Sequence, residues 1–107
     1  MAWSVVFSKD AKADFLAMDK CQQLEITKKL ARVSTNPLPQ REGGYGVELG
    51  KKHGLNLTGC LKIKLKKAGI RIVYTLERTA RGMKIIVIGM REDLDVYKIA
   101  VQRLGRI

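Results

Sequence analysis

Leu61-Lys62-Ile63-Lys64-Leu65-Lys66 alternates aliphatic and lysine without a break. Side chains along a β-strand point alternately to opposite faces. The run therefore predicts a strand that buries Leu61, Ile63 and Leu65 and projects Lys62, Lys64 and Lys66 from one solvated face. Lys67-Ala68-Gly69 follows as a tight turn, and Ile70 to Glu77 returns as a second β-rich run, so the pair reads as a hairpin. After a turn over Arg78 to Gly82, Lys84-Ile85-Ile86-Val87-Ile88 is nearly all aliphatic, the pattern of a central strand covered on both faces, and Gly89-Met90-Arg91 ends it. Glu92-Asp93 opens a last helix, with Tyr97, Ala100, Val101 and Leu104 at i, i+3, i+4 and i+7 on its apolar face.

Upstream, Trp3 to Phe7 is a short β-favouring run that stops at Ser8, a good N-cap for a helix over Lys9 to Met18. Asp19 caps a second helix whose apolar stripe is read as Leu24, Lys28 and Ala31 with Leu30 and Val33 nearby, and Asn36-Pro37 stops it. The two helices are expected to form a hairpin. From Asn36 to Gly59 the chain carries both prolines and Gly43, Gly44, Gly46, Gly50, Gly54 and Gly59, a density of breakers that predicts a long irregular connection of functional or mobile character. The expected architecture is α+β: a small antiparallel-rich sheet with an N-terminal helix hairpin and a C-terminal helix, in the order β-α-α-β-β-β-α. A chain of 107 residues with 46% hydrophobic content supports one core, so residues 1–107 are expected to form a single domain without internal repeats.

Lys and Arg total 21 against 10 Asp and Glu, a net charge of +11 that calls for an anionic partner, nucleic acid first and an acidic membrane surface second. No apolar stretch approaches the ~20 residues that span a bilayer, and the first nine residues lack the charged region and apolar run of a signal peptide. A soluble cytoplasmic protein without membrane partners is expected. Cys21 and Cys60 fit neither a C-x-x-C motif nor a Cys/His ligand spacing, so reduced thiols are expected, with no metal site and no cofactor.

The cations are unevenly spread. Between Glu48 and Glu77 there is no acidic residue, while Lys51, Lys52, Lys62, Lys64, Lys66, Lys67 and Arg71 all fall in that interval. If the hairpin register allows, Arg71 lies beside the strand lysines and the sheet carries a cationic patch that an anion would neutralise. Strand lysines also serve simply as a solvated face or as guards against edge-to-edge pairing. Against that, ordinary surfaces interleave the two signs of charge.

The patch bears on chemistry as well as binding. The one histidine, His53, sits in the breaker-rich connection without a conspicuous carboxylate pair, which points away from ordinary His or carboxylate acid-base catalysis. A lysine serves as a base where its proton is made easy to lose, and crowding by like charges does this. Lys62, Lys64 and Arg71 crowd one another. Cleavage of RNA by its own 2′-hydroxyl needs a base for that hydroxyl, charge stabilisation at the phosphorane and an acid for the departing 5′-oxygen. A Lys/Arg cluster has the groups for all three, and the same groups equally serve to bind phosphate alone.

Leu57-Thr58-Gly59-Cys60-Leu61-Lys62-Ile63-Lys64-Leu65, then Ala68-Gly69-Ile70-Arg71-Ile72-Val73-Tyr74, then Val87-Ile88-Gly89-Met90-Arg91-Glu92 and Val96-Tyr97, together resemble the RelE family of bacterial toxins within the RelE/ParE superfamily. The resemblance runs over nearly the whole chain. It implies a metal-independent, ribosome-dependent mRNA endonuclease that cuts the message in the decoding site. It also implies a cognate, RelB-like antitoxin that wraps the toxin and brings it to operator DNA only as a complex. By the same resemblance Lys64 is the general base and Lys62 its supporting, phosphate-holding neighbour. Arg71 stabilises the transition-state charge, Arg91 is the general acid, and Tyr97 stacks on a base of the message. Lys51, Lys52, Lys66 and Lys67 are expected to add phosphate contacts. Residue patterning alone reaches Lys62, Lys64 and Arg71; without the resemblance Arg91 reads as a strand-end charge and Tyr97 as a core-facing helix aromatic. Two other functions stay open: a ParE-like toxin that inhibits DNA gyrase and cleaves nothing, and an inactive relative serving only as antitoxin partner or co-repressor. The intact Lys/Arg/Tyr set favours the nuclease.

Overall fold

The computed structural model describes residues 2–52, 54–90 and 93–106. Strand β1 (Ser4–Phe7) leads into helices α1 (Lys9–Leu16) and α2 (Lys20–Val33). Strands β2 (Val47–Lys52), β3 (Leu55–Leu65), β4 (Ile70–Glu77) and β5 (Gly82–Met90) follow, and helix α3 (Asp93–Arg103) closes the order. The strands form one sheet in the order β1-β5-β4-β3-β2. Only β1 and β5 run parallel; the other three pairings are antiparallel.

Both helix starts follow from local chemistry. The Ser8 side chain accepts from the Ala11 amide at 3.1 Å. At α2, Asp19 and Gln22 form a reciprocal capping box, each side chain accepting from the other's amide at 2.8 and 3.0 Å. The buried stripe of α2 is Ile26, Leu30 and Val33, whereas Leu24, Lys28 and Ala31, expected on that stripe, are exposed. Ile26, Leu30 and Val33 repeat at i, i+4 and i+7, the spacing that puts them on one face of the helix, and that face turns to the core.

The α+β class, the two N-terminal helices and the C-terminal helix are as expected, but the connection over 36–59 is not irregular throughout. It contains a short 3-10 turn (Gln40–Glu42) and the edge strand β2, which pairs with a β3 that begins at Leu55, six residues before the alternating run. Several glycines there permit close approach. A Cβ on Gly44 would collide with the Leu38 carbonyl, and one on Gly46 would collide with the Tyr74 hydroxyl. Gly50 adopts φ 56° where the β2–β3 register shifts, so the breaker-rich run builds a bulged strand.

The sheet is covered on both faces. On one side Leu61, Ile63, Leu65, Ile72, Tyr74 and Ile85 pack with Ala11 of α1 and with the α2 stripe. The Tyr74 hydroxyl donates to the Pro37 carbonyl at 2.8 Å, and burial pushes its pKa up. On the other side Leu57, Cys60, Val73 and Val87 pack under Val96, Tyr97, Ala100 and Val101 of α3. The lysine-bearing face of β3 is therefore roofed along part of its length. Cys21 is exposed and Cys60 buried, both free thiols, and burial pushes the Cys60 thiol up.

One clasp fixes α3. Strand β1 stops pairing at Ile85, so among the described residues no strand pairs with the outer half of β5 on that side. There Asp14 of α1 and Arg103 of α3 meet around the sheet edge through two hydrogen bonds of 2.6 and 3.0 Å. The Ile88 amide donates to Asp14 Oδ2 at 3.0 Å, and Arg103 donates to the Ile86 carbonyl at 3.0 Å. The pair thus joins helices on opposite faces and satisfies backbone groups an open edge would expose.

Candidate active site

Register, more than proximity in sequence, assembles the site. Lys64 of β3 stands directly opposite Arg71 of β4, and Arg71 stands opposite Gly89 of β5, so two cations and a glycine form one row across three strands. Side chains so paired have Cβ atoms about 5 Å apart, and like charges at that distance raise the energy of the unliganded protein. Two residue pairs away, on the same face, Lys62 is opposite Val73. Lys64 and Arg71 are half-buried.

The glycine at the end of the row admits the helix. A Cβ on Gly89 would lie 2.6 Å from Val96 Cγ2, so α3 can seat at this depth only because residue 89 has no side chain. The next residue, Tyr97, is fully buried, and its hydroxyl accepts a hydrogen bond from Lys62 Nζ at 2.9 Å. Nζ is 5.7 Å from the ring centroid, which with the shorter contact puts the ammonium beyond the hydroxyl end of the ring rather than over its face. A hydrogen bond, not a cation–π contact, holds it.

The expected solvated lysine face therefore needs correcting. Lys62 is only 6% exposed, because α3 covers that end of the face and a tyrosine hydroxyl receives the ammonium. Lys66 lies in the β3–β4 turn beside Lys67, both exposed, and does not extend the strand row. Lys51 and Lys52 pair with Asn56 and Leu55 at the far end of β3, about 26–30 Å from Lys64 at ~3.3 Å per strand residue, so the structure does not bring them to the row. Arg91 and His53 lie outside the described residues. The Tyr97 ring, expected to stack on a base, is covered in this conformation, and its hydroxyl receives Lys62.

Helix α2 brings cations that the charge map of residues 48–77 did not include. Lys28, Lys29 and Arg32 share an open hollow of about 800 Å³ with Lys64, Lys66 and Lys67. The i, i+4 spacing of Lys28 and Arg32 was the available signal, obscured by assigning Lys28 to the apolar stripe. Among the described residues no three His, Cys, Asp or Glu groups converge to hold a metal ion, and no helix is long and apolar enough to cross a membrane. The row is a set of cations with one tyrosine hydroxyl: chemically, a place to hold a phosphodiester and meet charge developing on it.

No family model matches the chain. A chain described as a RelE-like toxin protein in Escherichia coli is 31% identical over 104 residues, covering 97% of this chain and 99% of the relative. The mRNA interferase toxin RelE of E. coli strain K12 is 29% identical over the same extents. Among solved structures, an E. coli RelE mutant in the free state aligns with a TM-score of 0.72 and 28% identity, covering 97% of this chain and 99% of that one. An E. coli RelE mutant bound to an antitoxin RelB peptide aligns with a TM-score of 0.66 and 27% identity over 94% and 96% of the two chains. With a relative above 30% identity along nearly its full length, this chain belongs to the RelE family of toxins.

Proposed function

We propose that this chain is the toxin of a type II toxin–antitoxin pair and acts as a metal-independent endoribonuclease on mRNA in the ribosomal A site. The observation that carries this reading is the cross-strand Lys64–Arg71 pair, with Lys62 held beside it by Tyr97, in a chain similar throughout to an mRNA interferase.

The reaction is attack of a ribose 2′-oxygen on the adjacent phosphorus. Lys64, in its unprotonated amine form, takes the 2′-hydroxyl proton and becomes the ammonium as the new P–O bond forms. Arg71 meets the negative charge that grows on the phosphorane oxygens, with Lys62 as a second cation. The bond from phosphorus to the 5′-oxygen breaks, and Arg91 gives that oxygen its proton. The products are a 2′,3′-cyclic phosphate and a free 5′-hydroxyl, with no water, oxidant or metal consumed. Tyr97 positions Lys62 in the present conformation; a message base would reach its ring only with α3 displaced.

The expected protein partner is a cognate antitoxin, by similarity to the RelE mutant solved with an antitoxin peptide. Primer extension on message from a reconstituted translation reaction, run with and without ribosomes, tests the function. Cuts at decoding-site codons that require ribosomes support it. A folded protein that arrests growth yet leaves message intact would move the reading to a non-nucleolytic target such as DNA gyrase.

A further inference from the structure

Continuous with the Lys64–Arg71 row lies a groove of which the mechanism uses only Lys62 and Lys64. Strand β2 begins at Val47, opposite Lys62, so among the described residues no strand pairs with Ile63 to Leu65 on that side. Helix α2 runs past this open edge. Two adjoining hollows, of about 800 and 430 Å³, lie along it and share Lys29, Lys64 and Lys66. Lys28, Arg32 and Lys67 add charge to the larger, where Glu25 is the one acidic lining residue.

The smaller hollow carries an aromatic ring. Tyr45 lines it, is 43% exposed and belongs to neither buried core cluster. Its backbone is held firmly: the Tyr45 amide donates to the Asn36 carbonyl at 3.0 Å, and the neighbouring Gly44 and Gly46 amides donate to the Pro39 and Leu38 carbonyls at 3.0 Å each. The Arg32 guanidinium lies 5.7 Å from the ring centroid, so a cation and an aromatic surface are presented together. A cation-lined track with an open ring is the arrangement that binds single-stranded nucleic acid, phosphates on the lysines and a base on the ring. An acidic protein segment would use the lysines and leave the ring idle.

We infer that the groove between α2 and the open edge of β3 is a channel for single-stranded RNA, with Tyr45 as the stacking platform for one base and Lys28, Lys29, Lys66 and Lys67 as phosphate contacts. The identification of that strand as the message leading to or from the Lys64–Arg71 row rests on the proposed function; the channel itself does not.

Fluorescence anisotropy with a labelled eight-nucleotide RNA, 2′-O-methylated throughout so that it cannot be cut, tests the channel. Tyr45→Ala weakens binding about 10-fold, while Tyr45→Phe and Tyr45→Trp stay within about 2-fold of the parent. On an abasic strand of the same length Tyr45→Ala has no effect. The Lys28→Ala/Lys29→Ala pair weakens both strands and lowers the slope of log affinity against log salt by about 1.4, at roughly 0.7 per phosphate on a single strand. Tyr45→Ala binding the RNA like the parent, or losing affinity equally for the abasic strand, would overturn the stacking platform. A parent protein that ignores both strands and binds polyglutamate of equal length would replace the RNA channel with a site for an acidic protein. Because nothing is cut in this assay, the two readings fail separately. RNA binding through Tyr45 without ribosome-dependent cleavage overturns the nuclease alone, and cleavage with Tyr45-independent binding overturns the channel alone.

Discussion

Replacing Asp14 by alanine removes, in one step, both hydrogen bonds to Arg103 and the acceptor for the Ile88 amide. The side chains of Arg103 and Asp14 are 22% and 19% exposed, so the pair is neither a freely screened surface contact nor a fully desolvated one. Hydrogen bonds to charged groups contribute about 1.5–3 kcal/mol when buried, and partial exposure keeps the sum here near the low end of two such bonds. Asp14→Ala is expected to cost about 2–3 kcal/mol, and Arg103→Ala, which loses the bond to the Ile86 carbonyl where Asp14→Ala loses the acceptor of the Ile88 amide, about the same. The double variant should recover about 1–2 kcal/mol relative to the sum of the singles, because the pair is the shared interaction. Urea unfolding followed by circular dichroism supplies the free energies, and amide exchange at Ile88 supplies the local readout. Strictly additive losses, within about 0.3 kcal/mol, would refute the clasp as a coupled unit. So would an Ile88 amide whose protection is unchanged in Asp14→Ala.

Gly89→Ala forces the new methyl against Val96 and is expected to cost about 1–3 kcal/mol while loosening α3, read as a lower melting temperature with faster amide exchange in the helix. Tyr97→Phe keeps the packed ring and deletes the acceptor for Lys62 Nζ; a loss of about 1–3 kcal/mol is expected, and an unchanged stability would show that the hydrogen bond contributes nothing. The hydrogen bond and charge of Arg78 lower the Glu42 pKa, so this exposed pair favours the fold above the ordinary Glu value and ceases to do so as pH falls through the depressed one. Arg78→Ala should return the Glu42 carboxyl toward its ordinary titration, followed by carbon-13 chemical shift against pH; a titration as low as in the parent would assign the depression to another group.

The residues most legible in sequence were those whose environment is set locally. Ser8 and Asp19 cap helices through amides three residues away, and the short turn after Leu65 brings Lys64 opposite Arg71. The alternating lysines were harder, because alternation reports that a strand has two different faces and not what covers either. Lys62 is buried because α3, more than thirty residues later, lays the Tyr97 hydroxyl against its ammonium, and a long aliphatic stem lets such a residue lie under a helix. Strand β2 was obscured by glycines, which mark loops and tight backbone approaches alike; only the Tyr74 hydroxyl above Gly46 tells which applies. Asp14 and Arg103 are 89 residues apart and carry no local signature, so their pairing emerges only when the sheet edge brings α1 and α3 together.

The Lys64–Arg71 row is proposed to cut RNA through the message's own 2′-hydroxyl. The most direct measurement is single-turnover cleavage of a message on programmed ribosomes, with the new ends identified chemically. The parent protein should leave a 2′,3′-cyclic phosphate and a 5′-hydroxyl and spare a message bearing a single 2′-deoxyribose at the cut. Lys64→Ala should cut at least about 100-fold more slowly while binding the ribosome as before. Cleavage of the deoxyribose-bearing message, or cutting by Lys64→Ala at the parent rate, would contradict it.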